Sequence, residues 1–362
     1  MSSLIARNEA FLRNIYDKGP FEGHAFCLHA ATTPIHTLEH GDYTLSDRPV
    51  SEWVPWIVDN YQRQVDVLEA VGDDAVPTAK LSTGTHIYAA AFGCPVHLFE
   101  ESNPAALPLV RTAQEADALP EPDIWKQPVL YRVFELGDLV RKELGPDFYF
   151  APCDVQSGFD TACLVWNKQD FFMAMMDDED AMAAERLIDK CARLLKTFLL
   201  ELRREFPNMS PCHCPAAWAP PERAPWLSND ECGAVNNDTY RRFIQPELLD
   251  LAETFGGLGV HCCADAEHQF PLFNEVPGFY AFNRVPARRG WDPILEHFGG
   301  PDAPVHVISW ITDADIRRLI DNAPEGTRFI FVRDVTDVDQ GRKWLDDMRA
   351  HCPRTDGAAV AG

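Results

Sequence analysis

The sequence predicts a single (β/α)8 TIM barrel, an α/β fold, with a helix ahead of the first strand. Three observations predict it. Eight short apolar stretches that suit strands alternate with stretches of helical periodicity. Reactive side chains collect where those strands end, which is where such barrels place their chemistry. A chain of 362 residues without internal repeat or low-complexity segment fits one barrel of this kind. The barrel is assigned to residues 1–352, and 353–362 to a flexible C-terminal tail.

The elements follow in order. Leu4, Ile5, Phe11, Leu12 and Ile15 fall at helical spacing within 3–17, and Gly19-Pro20 ends that helix. Residues 24–29 form the first strand, and a polar loop follows. Ser51 caps a helix over 51–71 that carries Glu52 in its first turn and stops at Gly72. The second strand, 76–81, leads through Ser82-Thr83-Gly84-Thr85-His86 into a short helix. Residues 94–127 are rich in proline (Pro95, Pro104, Pro108, Pro120, Pro122) and read as a surface excursion.

A helix over 129–144 ends at Gly145-Pro146, and the third strand, 148–153, opens into Asp154-Val155-Gln156-Ser157-Gly158. Helices over 159–176 and 180–206 carry a Met- and Leu-rich stripe that suits packing. The fourth strand is placed at 209–214. A loop rich in Trp and Pro, with Trp218 and Trp226, then precedes a helix over 239–255. Strands at 258–263, 278–283, 304–310 and 328–332 alternate with helices near 291–298, 312–322 and 337–350.

Composition narrows the function. A formal net charge of −24 with no basic stripe excludes nucleic acid and anionic membrane as partners. Eleven cysteines are scattered without a disulfide-framework spacing. The N-terminal residues hold no apolar signal core, and no run approaches transmembrane length. These features point to a cytoplasmic protein whose cysteines are free or bound to metal.

The chemistry centres on Gly259-Val260-His261-Cys262-Cys263. In an extended strand His261 and Cys263 point one way and Cys262 the other. Imidazole and thiolate side by side make half of a zinc site. The competing reading is a pair of buried cysteines beside a hydrogen-bonded histidine. Further ligands could be His86, Glu100, Asp154 or Cys214, and Cys214, at the end of the neighbouring fourth strand, is the one taken as the third. Asp154 and His86 follow strand ends and are candidate proton-handling groups, and a turn aspartate and a helix-start histidine are the plainer alternatives.

Several stretches also resemble the uroporphyrinogen decarboxylase-like superfamily. They are Cys153-Asp154-Val155-Gln156-Ser157-Gly158-Phe159-Asp160, Leu227-Ser228-Asn229-Asp230-Glu231, Val260-His261-Cys262-Cys263 and the run from Thr85 to Val96. The resemblance covers about residues 75–350. It implies a barrel and one of two activities: porphyrinogen decarboxylation, or zinc-dependent methyl transfer between corrinoid proteins and thiols. The decarboxylases carry an Arg-rich signature on the first strand and loop, whereas this chain has no Arg there before Arg48. The methyltransferases place zinc on a His-x-Cys pair, matched by His261 and Cys263, plus a Cys after the last strand. Here that strand exits through Phe331-Val332-Arg333-Asp334, without a Cys.

The expectation is therefore a zinc methyltransferase working with a corrinoid protein and a small thiol or methylated small molecule. Gln156, Asp230 and Trp310 would bind the substrate. The alternatives are a metal-independent decarboxylase or lyase acting on a small carboxylate, with Arg284 and Arg333 as candidate anchors, or a non-catalytic tetrapyrrole or corrinoid binder. The superfamily also implies pairing into a homodimer.

Overall fold

In the computed structural model, which describes residues 3–30 and 32–355, six strands form one parallel sheet. They are β1 (Ala25–Ala30), β6 (Trp226–Ser228), β7 (Leu258–Cys262), β8 (Phe279–Arg284), β9 (Val305–Ile308) and β10 (Phe329–Val335). Their order is β1-β10-β9-β8-β7-β6. A second parallel pair joins β2 (Thr78–Lys80) to β5 (Tyr149–Ala151), and an antiparallel pair joins β3 (Val96–His97) to β4 (Ala105–Ala106). Bridges at Phe150–Met209 and Gln156–Ser228 tie the β2–β5 pair to its neighbours. The protein is thus a mixed α/β fold around a parallel sheet.

Side-chain alternation along the strands builds two cores. Ala25, Cys27, Ala281, Val305, Val307, Ile330 and Val332 gather on one face, and the helix Ser3–Tyr16 plugs it with Phe11, Leu12 and Ile15. Phe26, Leu28, Phe282, Ile308, Phe329 and Phe331 face the other way into a larger core shared with the helices. Small and β-branched residues inside and aromatic residues outside suit a tightly curved sheet. The plug sits at the amino ends of the strands. At their carboxyl ends the inward row continues as His29, Lys80, Ser228, His261, Asn283 and Asp334.

The edge of β1 away from β10 is closed by carboxylates. The Phe26 N–H donates to Asp74 Oδ2 at 2.7 Å, and the Leu28 N–H donates to Asp73 Oδ2. The Asp74 N–H returns a bond to the Phe26 carbonyl at 3.1 Å. Burial pushes Asp73 up to about 7, although the Leu28 N–H opposes it. Burial likewise brings Glu247 to about 7. A carboxyl raised on folding supports the fold fully below its unfolded value, near 4, and loses that support as pH rises through about 7. Asp73→Asn is therefore expected to flatten the decline of stability over this window. Its advantage over the native chain should be on the order of 2–3 kcal/mol at pH 8 and near zero at pH 4. Denaturant unfolding at the two pH values checks it.

Several expectations are corrected here. Residues 209–214 do not form a strand, because Pro211 and Pro215 interrupt any ladder. The strand β6 lies instead in what reads as a Trp- and Pro-rich loop. The surface excursion holds the β3–β4 hairpin and the helix Ala113–Ala118, which is closed by a Thr112–Glu115 capping box. The expected helix 159–176 is two, Gly158–Val165 and Lys168–Ala174. That over 239–255 is also two, Asn237–Phe243 and Gln245–Phe255, with Pro246 opening the second turn of chain. Ser51 does not cap a helix: a 3-10 turn, Val50–Trp53, leads into Val54–Val71. Of the expected tail, residues 353–355 are held, with the Thr355 N–H on the Glu22 carbonyl at 2.9 Å and Arg354 on Asp74 at 3.0 Å. The remainder, 356–362, lies outside the described residues. Among the described residues no helix is long and apolar enough to cross a membrane.

Candidate metal centre

His261 stands near the end of β7, and the Gly259 two residues earlier is what lets that strand pass close beside Trp226. A Cβ on Gly259 would come within 2.4 Å of the Trp226 ring. Alternation sends His261 and Cys263 inward together, and Cys262 outward to within 3.9 Å of the Cys232 sulfur. The imidazole is oriented by Asn283, its register partner on β8. Asn283 donates its amide nitrogen to the Val307 carbonyl at 2.6 Å, so its oxygen is left to accept from His261 Nδ1. Nε2 is then the lone-pair nitrogen, and it lies 2.8 Å from the Cys263 sulfur.

Asp230 completes the group. Ser228 pairs with His261 across β6 and β7, and the Asn229 N–H donates to the His261 carbonyl at 2.9 Å. The turn that follows carries Asp230 over the pair, where its Oδ1 accepts the Cys263 N–H. The turn is pinned from below by buried Asp160, which accepts the N–H groups of Asp230 at 2.8 Å and Glu231 at 3.0 Å. One ligand atom from each of Asp230, His261 and Cys263 lies within 4.8 Å of the other two. Burial lowers the proton affinity of His261, but the neighbouring Cys214 and Cys263 and the charge of Asp230 outweigh it and raise the pKa well above the ordinary value. Surroundings that favour an imidazolium favour a cation in the same place. Nitrogen, sulfur and carboxylate donors from three side chains match the ligand chemistry of zinc and leave a coordination position open.

The expected site residues divide. His261 and Cys263 meet as read from the alternation. Cys214 is near enough to raise the proton affinity of His261, but the compact trio takes Asp230 rather than Cys214. Asp154 and Gln156 lie on the next wall. Gln156 donates to Asp154 Oδ1 and bridges to Ser228 on β6. Burial raises the Asp154 pKa, while Gln156, Lys80 and His261 oppose the rise. His86 is elsewhere: fully buried, its Nε2 is 3.1 Å from the Thr44 hydroxyl and 3.8 Å from Asp42. Trp310 stands at the exit of β9, 55% exposed, with φ 54. Such a backbone angle is strained for a bulky residue and holds the indole outward at the rim. Arg284 lies over Phe270, and Arg333 pairs with Asp313 and lies over Trp344, so neither meets the trio. Lys80 and His213 are additions. The Lys80 ammonium donates to the His213 carbonyl at 2.9 Å, and the His213 ring is 6.0 Å from that of His261. Strand alternation from Thr78 would have found Lys80, whereas nothing in the sequence marks His213.

Residues 63–205 match the family described as Uroporphyrinogen decarboxylase (URO-D). That stretch carries Lys80, Asp154, Gln156 and Asp160, and the trio lies beyond it. Among solved structures, the chain is similar to a methyltransferase from Methanosarcina mazei, with a TM-score of 0.63 and 12% identity over 94% of this chain and 97% of that one. It is also similar to a B12-independent methionine synthase from Shewanella sp. W3-18-1, with a TM-score of 0.49 and 10% identity over 90% and 97%. No curated protein matches the chain. The Methanosarcina likeness, at this identity, is one of fold.

Proposed function

The chain is a member of the uroporphyrinogen decarboxylase-like superfamily, and on that premise we propose that it is a zinc-dependent methyltransferase. It moves a methyl group between a corrinoid protein and a small thiol or a methylated small molecule. The observation that carries this reading is the Asp230–His261–Cys263 trio at the carboxyl ends of parallel strands, with Nε2 of His261 turned inward by Asn283. Asp230 stands in for the last-strand Cys that the superfamily's methyltransferases use. Asp230, His261 and Cys263 would hold the zinc ion, which would supply the Lewis acidity that favours a thiolate at neutral pH.

The chain's own residues do the rest. Asn283 fixes the imidazole, and Asp160 fixes the turn that bears Asp230. Asp154, held by Gln156, has a raised proton affinity and takes up the proton that the substrate thiol gives up. Trp310 offers a flat apolar face at the rim to the methyl carrier. The reading takes the ring of strands as a closed eight-stranded barrel and the cytoplasm as the compartment. The decarboxylase reading would take Lys80 as its carboxylate anchor, since Arg284 and Arg333 are engaged away from the trio.

The test is methyl transfer from free methylcobalamin to small thiols by the zinc-loaded protein, followed as cob(I)alamin absorbance and as methyl thioether by mass spectrometry. Thioether formed by the native chain and not by Cys263→Ser supports the proposal. A folded, zinc-loaded native chain that forms none with any thiol, yet releases carbon dioxide from a small carboxylate, would replace it with the lyase reading.

A further inference from the structure

The loops that enter β1 and β10 enclose a cavity of about 370 Å³ at the amino ends of these strands, the end of the sheet away from the trio. Phe21 and His24 line it from the first loop and Arg328 from the second, with Ile320 and Ala323 from the end of the helix Asp313–Asn322. The second loop is fixed in shape. The Thr327 hydroxyl donates to the Pro324 carbonyl at 2.7 Å and accepts the Gly300 N–H at 2.8 Å. Gly326, at φ +90, packs so closely that a Cβ there would come within 2.7 Å of Pro301.

This loop presents a buried cation without a counter-charge. Arg328 is 7% exposed and forms no ion pair among the described residues. Its Nη2 donates to the Gly19 carbonyl at 2.9 Å and its guanidinium lies over the Phe21 ring, which leaves the donors of Nε and Nη1 unused among those residues. Lys18 adds a second positive charge nearby: burial and Arg328 bring its ammonium down to about 8, against the pull of Asp302. His24 adds none. Its Nδ1 accepts the Phe329 N–H at 3.4 Å, so Nε2 carries the proton of a neutral ring. A buried guanidinium without a counter-ion bears a desolvation cost that an anion relieves. With 56 acidic residues against 32 basic ones, the chain supplies carboxylates to the part-buried Arg333, Arg349 and Arg354, yet none to Arg328.

The walls decide which anion fits. Phe21, Ile320 and Ala323 suit a hydrocarbon body, and the exposed Glu325 on the same cavity repels a second negative charge. The planar fork of Nε and Nη1 matches the two oxygens of a carboxylate. We propose that this cavity binds a small monocarboxylate with an apolar body, its carboxylate on Arg328 and its hydrocarbon against Phe21, Ile320 and Ala323. The site is separate from the trio and does not depend on the metal reading.

The experiment is calorimetric titration of the full chain with acetate, butyrate, hexanoate, hexanol, hexylamine and inorganic phosphate. Affinity is expected to rise about fourfold per methylene from butyrate to hexanoate. Hexanoate should bind about tenfold or more tighter than hexanol, hexylamine or phosphate. Arg328→Met should cost hexanoate about tenfold or more. Ala323→Trp, which fills the cavity and keeps the guanidinium, should abolish binding, and Cys263→Ser should leave it unchanged. Hexanol that matches hexanoate, phosphate that outbinds it, or no binding of hexanoate at millimolar concentration would overturn the proposal. So would binding that survives both cavity substitutions or is lost with Cys263→Ser, which would place the acid at the trio. If Arg328→Met does not fold, Ala323→Trp and the comparison with hexanol decide.

Discussion

Protein purified with its thiols reduced is expected to carry about one zinc per chain, and His261→Ala and Cys263→Ala are each expected to carry essentially none. The expectation follows from donor number. With three protein ligands, removal of one leaves two, too few to hold a divalent ion against the water it must displace. Both substitutions should spare the fold. Cys263 is exposed, and the buried His261 imidazole bonds only to Asn283 and Cys263, so its loss leaves a space in the site rather than in an apolar core. Asp230→Ala should weaken zinc by roughly 100-fold, within the range that loss of a supporting or weak ligand causes. Cys214→Ser should leave the metal in place, because Cys214 lies outside the compact trio. Elemental analysis, with thermal unfolding to confirm folding, reads all four. Zinc retained by both alanine variants, or refused by the native chain when offered back, would sink the metal site.

What the sequence made legible was whatever depends on alternation along one strand. His261 and Cys263 could be placed together because a strand repeats every two residues, and their 2.8 Å contact follows from it. The same rule would have delivered Lys80 from Thr78. Asp230, rather than Cys214, joins the compact group, and the sequence pointed to Cys214 for a physical reason. Asp230 leaves a strand of three residues, Trp226–Ser228, too short to show a period and set among prolines. With β6 hidden, 209–214 was left to fill the fourth position, and Cys214 came forward as ligand. His86 shows another limit. It follows a strand exit as catalytic residues in barrels do, yet a loop that no local signal positions brings Asp42 and Thr44 against it. The superfamily resemblance pointed to the fold, and only the packed loops show which carboxylate meets His261 and Cys263.

Asp160 is the residue whose loss should do most damage at a distance from the Asp230–His261–Cys263 trio. It is 3% exposed and sits on the helix Gly158–Val165, where Ser157 caps its own N–H at 3.0 Å. Burial and the neighbouring charge of Asp230 push its pKa well above the usual carboxylate range, against the pull of the two N–H groups that it accepts. Asp160→Ala strands the N–H groups of Asp230 and Glu231, each costing about 1–3 kcal/mol unless water reaches it. Relief of a buried carboxylate offsets part of that, so a net loss on the order of 2–4 kcal/mol is expected in denaturant unfolding. The freed turn no longer holds Asp230 over His261 and Cys263, so zinc affinity should fall a further 10–100-fold in competition with a chromogenic chelator. Asp160→Asn keeps one acceptor and should lose about half as much stability. A variant that loses stability but binds zinc as the native chain does would show that Asp230 is not a ligand. One that keeps both would show that the turn is held by other contacts.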